Sequence, residues 1–247
     1  MTRRDFLLYS SVLGATTLNA DFLHNSDVYL SSYEYLSLIK LDTRLTKIKR
    51  YVGFGNFNLI SYENALKIAS SNTKIGAFTK EELALIDMFF HENPSKYGFY
   101  GERTCYNINN KINIKDVKKI PHTGHYIFKG ISSYDYNRII GDIGNTLYLT
   151  SGVRNVMKQL SLYVSKLKRV NGNISLTSKD IAPPSHSFHT IGDFDVGKLG
   201  LGAKNFTAEF AKTQEFREII KLDYISIRYN PNNTDGVRFE PWHVKVV

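Results

Sequence analysis

The sequence predicts an α+β chain: a mainly helical first half, then a small and mainly antiparallel sheet flanked by helices. Three observations carry this. Up to about residue 94, apolar residues recur at helical spacing between recognisable caps. From about residue 129 the texture changes to short elements that alternate helix-like and strand-like patterns between turn signals. Finally, the ending WHVKVV alternates apolar and polar residues with the period of a half-buried strand.

The N-terminus, MTRRDFLLYSSVLGATTLNADF, places paired arginines before a short apolar run, Phe6 to Leu18, and a small residue, Ala20. That order reads as an export signal, too short to act as a stop-transfer span. Arg3-Arg4 ahead of Asp5-Phe6-Leu7 resembles the twin-arginine type. This implies that residues 1–20 are removed, that export machinery of the twin-arginine type is a partner, and that the protein resides in the periplasm or cell envelope. Residues 21–128 then form the mainly helical region and 129–247 the domain that carries the chemistry.

Helices are expected over Ser31 to Arg50, over Ser61 to Ser70 and within FTKEELALIDMFFHENP, where Thr79 and Glu82 have capping-box spacing and Pro94 follows the stop. A loop-rich stretch runs from Tyr97 to Tyr126. A helix at Ser133 to Ile140 leads to the strand TLYLT. SGVRN then turns the chain into a helix with Val156, Leu160, Val164 and Leu167 on one face. Residues 169–197 read as a long loop. After them come a helix near Ala208 to Lys221 and strands near Tyr224 to Tyr229, Val237 to Glu240 and Trp242 to Val247, with NPNNTDG as a turn.

At 247 residues and 42% hydrophobic, the chain can bury a full core. Its net charge of +9 falls to +8 once the signal, with two Arg and one Asp, is set aside. The lysines are dispersed, so the charge reads as a solvated basic surface that favours anionic cell-wall material, with no nucleic acid among the partners. Cys105 is the only cysteine, which excludes an intrachain disulfide, and without a neighbouring base it reads as structural.

The residue types that carry chemistry fall in two stretches. In the terminal strand Trp242, Val244 and Val246 share the apolar face, which leaves His243 on the other. Pro241 lets the chain bend, so that Glu240 and His243 flank one cleft. In PPSHSFHTIGDFDVG, His189 and Asp195 would lie roughly 20 Å apart on a straight strand. Gly192 can fold the segment back. Past that turn Phe194 and Val196 face the core, while Asp193 and Asp195 face the cleft. Two histidines, one aspartate and a free glutamate are the parts of a catalytic zinc site: three ligands, an open position, and a carboxylate to accept a proton.

Residues 145–247 resemble the VanY/VanX-type zinc D-alanyl-D-alanine carboxypeptidases, whose metal-binding fold is shared with hedgehog-type domains. SGVRNVMKQ resembles the block that contacts substrate, matching Arg154 and Gln159. APPSHSFHTIGDFD resembles the Ser-x-His block, matching Ser187, His189 and Gly192. IRYNPNNTDGVRFEPWHVKVV resembles the Glu-x-Trp-His block with its leading Arg-Tyr, matching Glu240 and His243. The resemblance implies one zinc ion held by His189, Asp195 and His243, Glu240 as the base, and Arg154 on the substrate's carboxylate or the developing oxyanion. Ser187 and Gln159 would position the substrate, a peptidoglycan stem peptide ending in D-alanine.

In one respect the chain departs from the family pattern, which sets the ligand aspartate seven positions after the first histidine. Val196 stands there, so Asp195, at six, is the expected ligand and Asp193 the fallback; the bulky Phe194 replaces a small residue. Alternatives on the same fold are an endopeptidase, a carboxypeptidase of other stereochemistry, and a non-catalytic cell-wall-binding zinc protein. His186 is expected to be exposed on a loop. His122 and His125 of PHTGHY are candidates for a second metal site, and His24 and His91 read as incidental.

Overall fold

The computed structural model describes residues 27–246. The export signal and His24 lie outside them. Helix α1 (Ser32–Val52) presents Leu38, Leu41, Leu45 and Ile48 at helical spacing, all fully buried. They pack with Leu85, Ile86 and Phe89 of α3 (Lys80–His91), while α2 (Tyr62–Ser71) adds Ala65 and Ala69. The cap expected at Thr79 is present: the Glu82 carboxylate accepts from Thr79 N at 2.8 Å and Thr79 Oγ1 accepts from Glu82 N at 3.3 Å. Glu82 also accepts from Arg44 Nε at 2.8 Å, a buried ion pair that ties α3 to α1.

Two sheets follow. Hairpin β1 (Val117–Lys119) and β2 (Tyr126–Phe128) is antiparallel. Helix α4 (Ile131–Ile143) then leads to β3 (Leu147–Ser151), α5 (Val156–Arg169), α6 (Ile174–Asp180), β4 (Phe194–Lys198), α7 (Gln214–Ile219), β5 (Ser226–Ile227) and β6 (His243–Lys245). The four-stranded sheet has the order β3-β4-β6-β5, antiparallel throughout. One face packs Phe194, Val196, Leu149 and Val244 against Tyr136 and Ile139 of α4 and Ile219 of α7. The other carries the polar groups of the cleft.

Helix α5 joins the two halves. Its stripe Leu160, Tyr163, Val164 and Leu167 is buried in the same cluster as the α1 and α3 residues, so the helical half covers the back of the helix that leads away from the cleft. Among the described residues no helix is long and apolar enough to cross a membrane.

The structure departs from the sequence reading at the hairpin, whose β1 lies in the stretch expected to be loop, and again between 169 and 240. The expected loop contains α6 and β4. Helix α6 has a polar sequence, ISLTSKD, but its hydroxyls are buried and bonded back along the helix: Thr177 Oγ1 to Asn173 O at 2.8 Å and Ser178 Oγ to Ile174 O at 2.9 Å. Thr213 caps α7 at Phe216 N, 3.2 Å, so the helix expected from 208 begins only at Gln214, after short 3-10 turns. Residues 237–240 form no strand, because Val237 and Phe239 are pulled into different apolar clusters. The strand expected over 224–229 shortens to Ser226–Ile227.

Candidate metal centre and its cavity

Pairing of β4 with β6 sets Asp195 directly opposite His243. His189 reaches them from a 3-10 turn, Phe188–Thr190, clamped onto the β3–α5 junction by Arg154 N to His189 O (3.3 Å) and Thr190 Oγ1 to Arg154 O (3.1 Å). Gly192 makes the return, with φ 147° and both Gly192 N and Asp193 N donating to Phe188 O. A side chain at Gly192 would also lie 3.1 Å from Ser132 Oγ, which donates to Gly192 O.

The tautomers follow from hydrogen bonds. His189 Nδ1 lies 2.8 Å from Gly152 O, and a carbonyl only accepts, so Nδ1 carries the proton and Nε2 presents a lone pair. Burial, then the charge of Arg154, lowers the pKa of His189 to about 4, which makes the ring neutral at pH 7. That lone pair faces Asp195 Oδ1 at 3.3 Å, a separation that is no hydrogen bond because neither atom has a proton. Both atoms are buried without a hydrogen-bond partner.

His243 is held from behind. Its Nε2 donates to Asp193 Oδ2 at 3.1 Å, so Nδ1 turns toward Asp195 Oδ1, 3.5 Å away, and Glu240 Oε2, 3.3 Å away. Burial by itself would lower the His243 pKa, but the bonds to Asp193 and Glu240 raise it to about 9. For Asp195, burial works against ionisation; His189 in acid and Arg154 overcome it and hold the carboxyl well below its usual range. Its Oδ2 accepts from Arg154 Nη2 at 2.5 Å.

These observations fit a divalent ion. One ligand atom from each of His189, Asp195 and His243 lies within 4.8 Å of the others, and all three residues are buried. Tetrahedral bonds of about 2.0–2.1 Å to zinc set neighbouring ligand atoms about 3.3–3.4 Å apart. The observed 3.3 and 3.5 Å match that spacing. Two acceptors aimed at each other in a dry site repel unless a cation or proton lies between them. Asp193 stands outside the group, bonding the far nitrogen of His243, Arg228 at 2.7 and 3.0 Å, and Val246 N at 2.9 Å. A carboxylate behind a ligating imidazole fixes its tautomer and raises its basicity.

Glu240 is buried beside the group, its pKa raised by burial against the opposing pull of His243. Trp242 packs in the sheet core and lines the cavity. The ring of Tyr229 meets that of His243 edge-on at 5.0 Å.

The centre opens into a cavity of about 640 Å³ whose wall includes Arg154, Gln159, Ser187, Tyr229, Arg238 and Glu240. Arg154 is committed there: besides Asp195 it donates through Nε to Ser151 Oγ (2.8 Å) and through Nη1 to Gln159 Oε1 (3.5 Å). Gln159 is buried and donates to Ala182 O at 2.8 Å, so both ends of its amide are engaged.

His186 is buried, not exposed: its ring lies 3.0 Å from Ser185 Oγ and edge-on to Phe99. His122 is exposed, while His125, three residues on, is half-buried in the cavity wall; among the described residues they belong to no ligand cluster. Cys105 is buried, and burial raises its pKa. Sequence reasoning missed His125, Lys158 and Arg238 as wall residues. Lys158 was legible, since Lys158, Leu162 and Lys166 repeat every four residues on one face of α5.

Fold and site together define an α+β chain with a candidate cation centre of two histidines and one aspartate. Residues 138–247, somewhat under half of the chain, match the profile of the family described as VanY: D-alanyl-D-alanine carboxypeptidase. Among solved structures, the chain is similar to a mutant of the vancomycin resistance D,D-pentapeptidase VanY from the VanB-type resistance cassette, in complex with Zn(II). Identity is 23% and the TM-score 0.41, over 53% of this chain and 78% of that one. A structure of VanYB in complex with D-alanine-D-alanine gives 24% and 0.40, over 53% and 76%. The D,D-dipeptidase VanXYg in complex with a D-Ala-D-Ala phosphinate analogue gives 21% and 0.47, over 61% and 62%. No curated protein matches the chain.

Proposed function

We propose that this protein is a zinc-dependent D-alanyl-D-alanine carboxypeptidase that removes the terminal D-alanine from peptidoglycan stem peptides. The observation that carries the reading is the pair of buried, partnerless acceptors, His189 Nε2 and Asp195 Oδ1, beside His243 Nδ1, with Glu240 next to the group. The family match over residues 138–247 supports D-alanyl-D-alanine as the substrate class.

When bound by His189, Asp195 and His243, a zinc ion would supply Lewis-acid polarisation of the scissile carbonyl and make water acidic near neutral pH. Glu240, held in a dry pocket with a raised affinity for protons, takes the proton of the attacking water and delivers it to the leaving amine. Asp193 and Gly152 O hold the two imidazoles in the required tautomers. Arg154 fixes Asp195 and places positive charge where the carbonyl oxygen becomes anionic. Ser187 and Gln159 shape the wall against which the peptide lies. The paired arginines, Arg3 and Arg4, support action in the periplasm or cell envelope after twin-arginine export.

The test is incubation of the purified, zinc-loaded protein with defined muropeptides and identification of products by mass. Loss of one terminal D-alanine, abolished by a chelator, is the expected result. Bound zinc without cleavage would overturn the reading, and cleavage of cross-linked dimers alone would make the protein an endopeptidase.

A further inference from the structure

The end of the cavity away from the metal centre is basic. Lys166 and Arg169 line it from the last turn of α5, and Arg238 from the extended stretch that leads to Glu240. Facing them is Asp180, the last residue of α6 and the one lining carboxylate among the described residues besides Asp195 and Glu240. Asp180 is already shared: one oxygen meets Lys166 Nζ, and the other accepts from Arg238 Nε at 2.8 Å. Arg169, three residues after Lys166 and so on the same face of the helix, is exposed and has no ion-pair partner among the described residues. Three cations therefore meet one carboxylate, which leaves two positive charges in excess. Arg238 is steadied by its bond to Phe206 O at 3.3 Å and by the Trp242 ring, 5.3 Å away.

This basic end is in line with the centre. Burial raises the pKa of Glu240, and Arg238, after His243, works against that rise, so its charge reaches the base. Along α5, Gln159 and Lys166 are seven residues apart, about 10 Å of helix axis, with Leu162 between them on the cavity side. An extended peptide advances about 3.3 Å per residue. A peptide whose scissile bond lies at the metal centre thus brings its third residue on the amino side to Lys166 and Arg169. A volume of about 640 Å³ leaves room for that length of chain beyond a dipeptide. Guanidinium and ammonium groups that lack a full complement of anions favour a ligand carboxylate through charge-assisted hydrogen bonds.

We propose that Lys166, Arg169 and Arg238 form a distal subsite that selects substrates with a free carboxylate on the third residue before the scissile bond. In a stem peptide whose glutamate is linked through its γ-carboxyl, the α-carboxylate stands free at that position. The inference rests on the carboxypeptidase reading for the direction in which the peptide lies. It makes the far end of the cavity a reader of whether that glutamate is a free acid or an amide.

The test uses the full chain and two synthetic pentapeptides, L-Ala-γ-D-Glu-L-Lys-D-Ala-D-Ala and its analogue with the glutamate α-carboxyl amidated. Calorimetry on the metal-free protein gives affinity where nothing is turned over, and the zinc-loaded protein gives kcat and KM. The acid is expected to bind at least fivefold more tightly than the amide at low salt, an advantage that shrinks as salt screens the exposed cations. Lys166→Gln and Arg169→Gln should each reduce the advantage to less than twofold, with recovery in Lys166→Arg. The loss should appear in KM for the acid and leave kcat, and the turnover of N-acetyl-D-alanyl-D-alanine, within twofold of wild type. Asp180 keeps Arg238 in Lys166→Gln, and Arg169→Gln breaks no ion pair, so the melting temperature of both should hold.

Equal affinity for acid and amide, an advantage retained in both variants, or no binding of the acid would overturn the subsite. Cleavage of both peptides at equal kcat/KM would leave the peptidase reading standing without it. Charge-selective binding that depends on Lys166 and Arg169, with no cleavage by the zinc-loaded protein, would uphold the subsite and sink the peptidase reading.

Discussion

Replacement of Asp193 by Asn tests whether the second carboxylate serves as a support and not as a ligand. The amide oxygen of Asp193→Asn can still accept from His243 Nε2, at 3.1 Å in the native protein, but the charge is lost. Removing a carboxylate behind a ligating imidazole weakens metal binding about 10–100-fold, about 1.4–2.8 kcal/mol. The same change strips Arg228 of two bonds, at 2.7 and 3.0 Å. That guanidinium is 14% exposed and packed over the Phe188 ring at 3.6 Å, so water replaces the lost partner only in part. Breaking a buried pair from one side costs about 3–5 kcal/mol; the amide that remains favours about 3.

Acid should expose the same linkage. Burial would raise the Asp193 pKa, but its bonds to His243 and Arg228 lower it from 3.8 to about 2. A depressed carboxyl stabilises the fold above its unfolded pKa and loses that contribution as pH falls toward the folded one. Wild type should therefore lose on the order of 2 kcal/mol more than the variant between pH 4 and pH 2. Chelator competition measures zinc affinity, and urea titration of the metal-free protein at each pH measures stability. Zinc affinity within twofold of wild type, with an unchanged urea midpoint, would refute the reasoning.

Other outcomes follow from the same geometry. Glu240→Ala should lower turnover about 10²–10⁴-fold while zinc stays bound, read by metal assay beside product mass. His189→Ala should abolish stoichiometric zinc binding, since it deletes one of three ligand atoms. Gly192→Ala should destabilise the protein by about 1–3 kcal/mol in thermal unfolding, because φ there is 147° and the added carbon meets Ser132 Oγ at 3.1 Å. Chelation of the native protein should lower its melting temperature, and added zinc restore it, because the three proposed ligands converge only in the folded chain.

Much of the site was legible because it is built on local regularities. The alternation from Trp242 to Val246 put His243 on the face away from the core, and the pairing of β4 with β6 leaves it there. Phe194 and Val196 face the core and Asp195 faces the cleft, as the same alternation requires. The chain reversal at Gly192 was equally readable, since no other residue type adopts that backbone without strain. Helix α6 was not legible, because its buried hydroxyls look like loop residues until their backbone partners are known.

The amino-acid order by itself determined which side chains could form a centre and which faces of their strands they occupy, because strand period and glycine freedom are local properties. Only the tertiary structure decided that Asp195 Oδ1 meets both imidazoles while Asp193 turns to Arg228 and the far nitrogen of His243. It also brought His125 and Lys158 to one wall of the cavity. Such choices depend on where two carboxylates, one just before β4 and one within it, end up relative to the rest of the chain. They are set by the register of β3, β4 and β6 and by contacts between segments 30 to 50 residues apart, which no local pattern specifies.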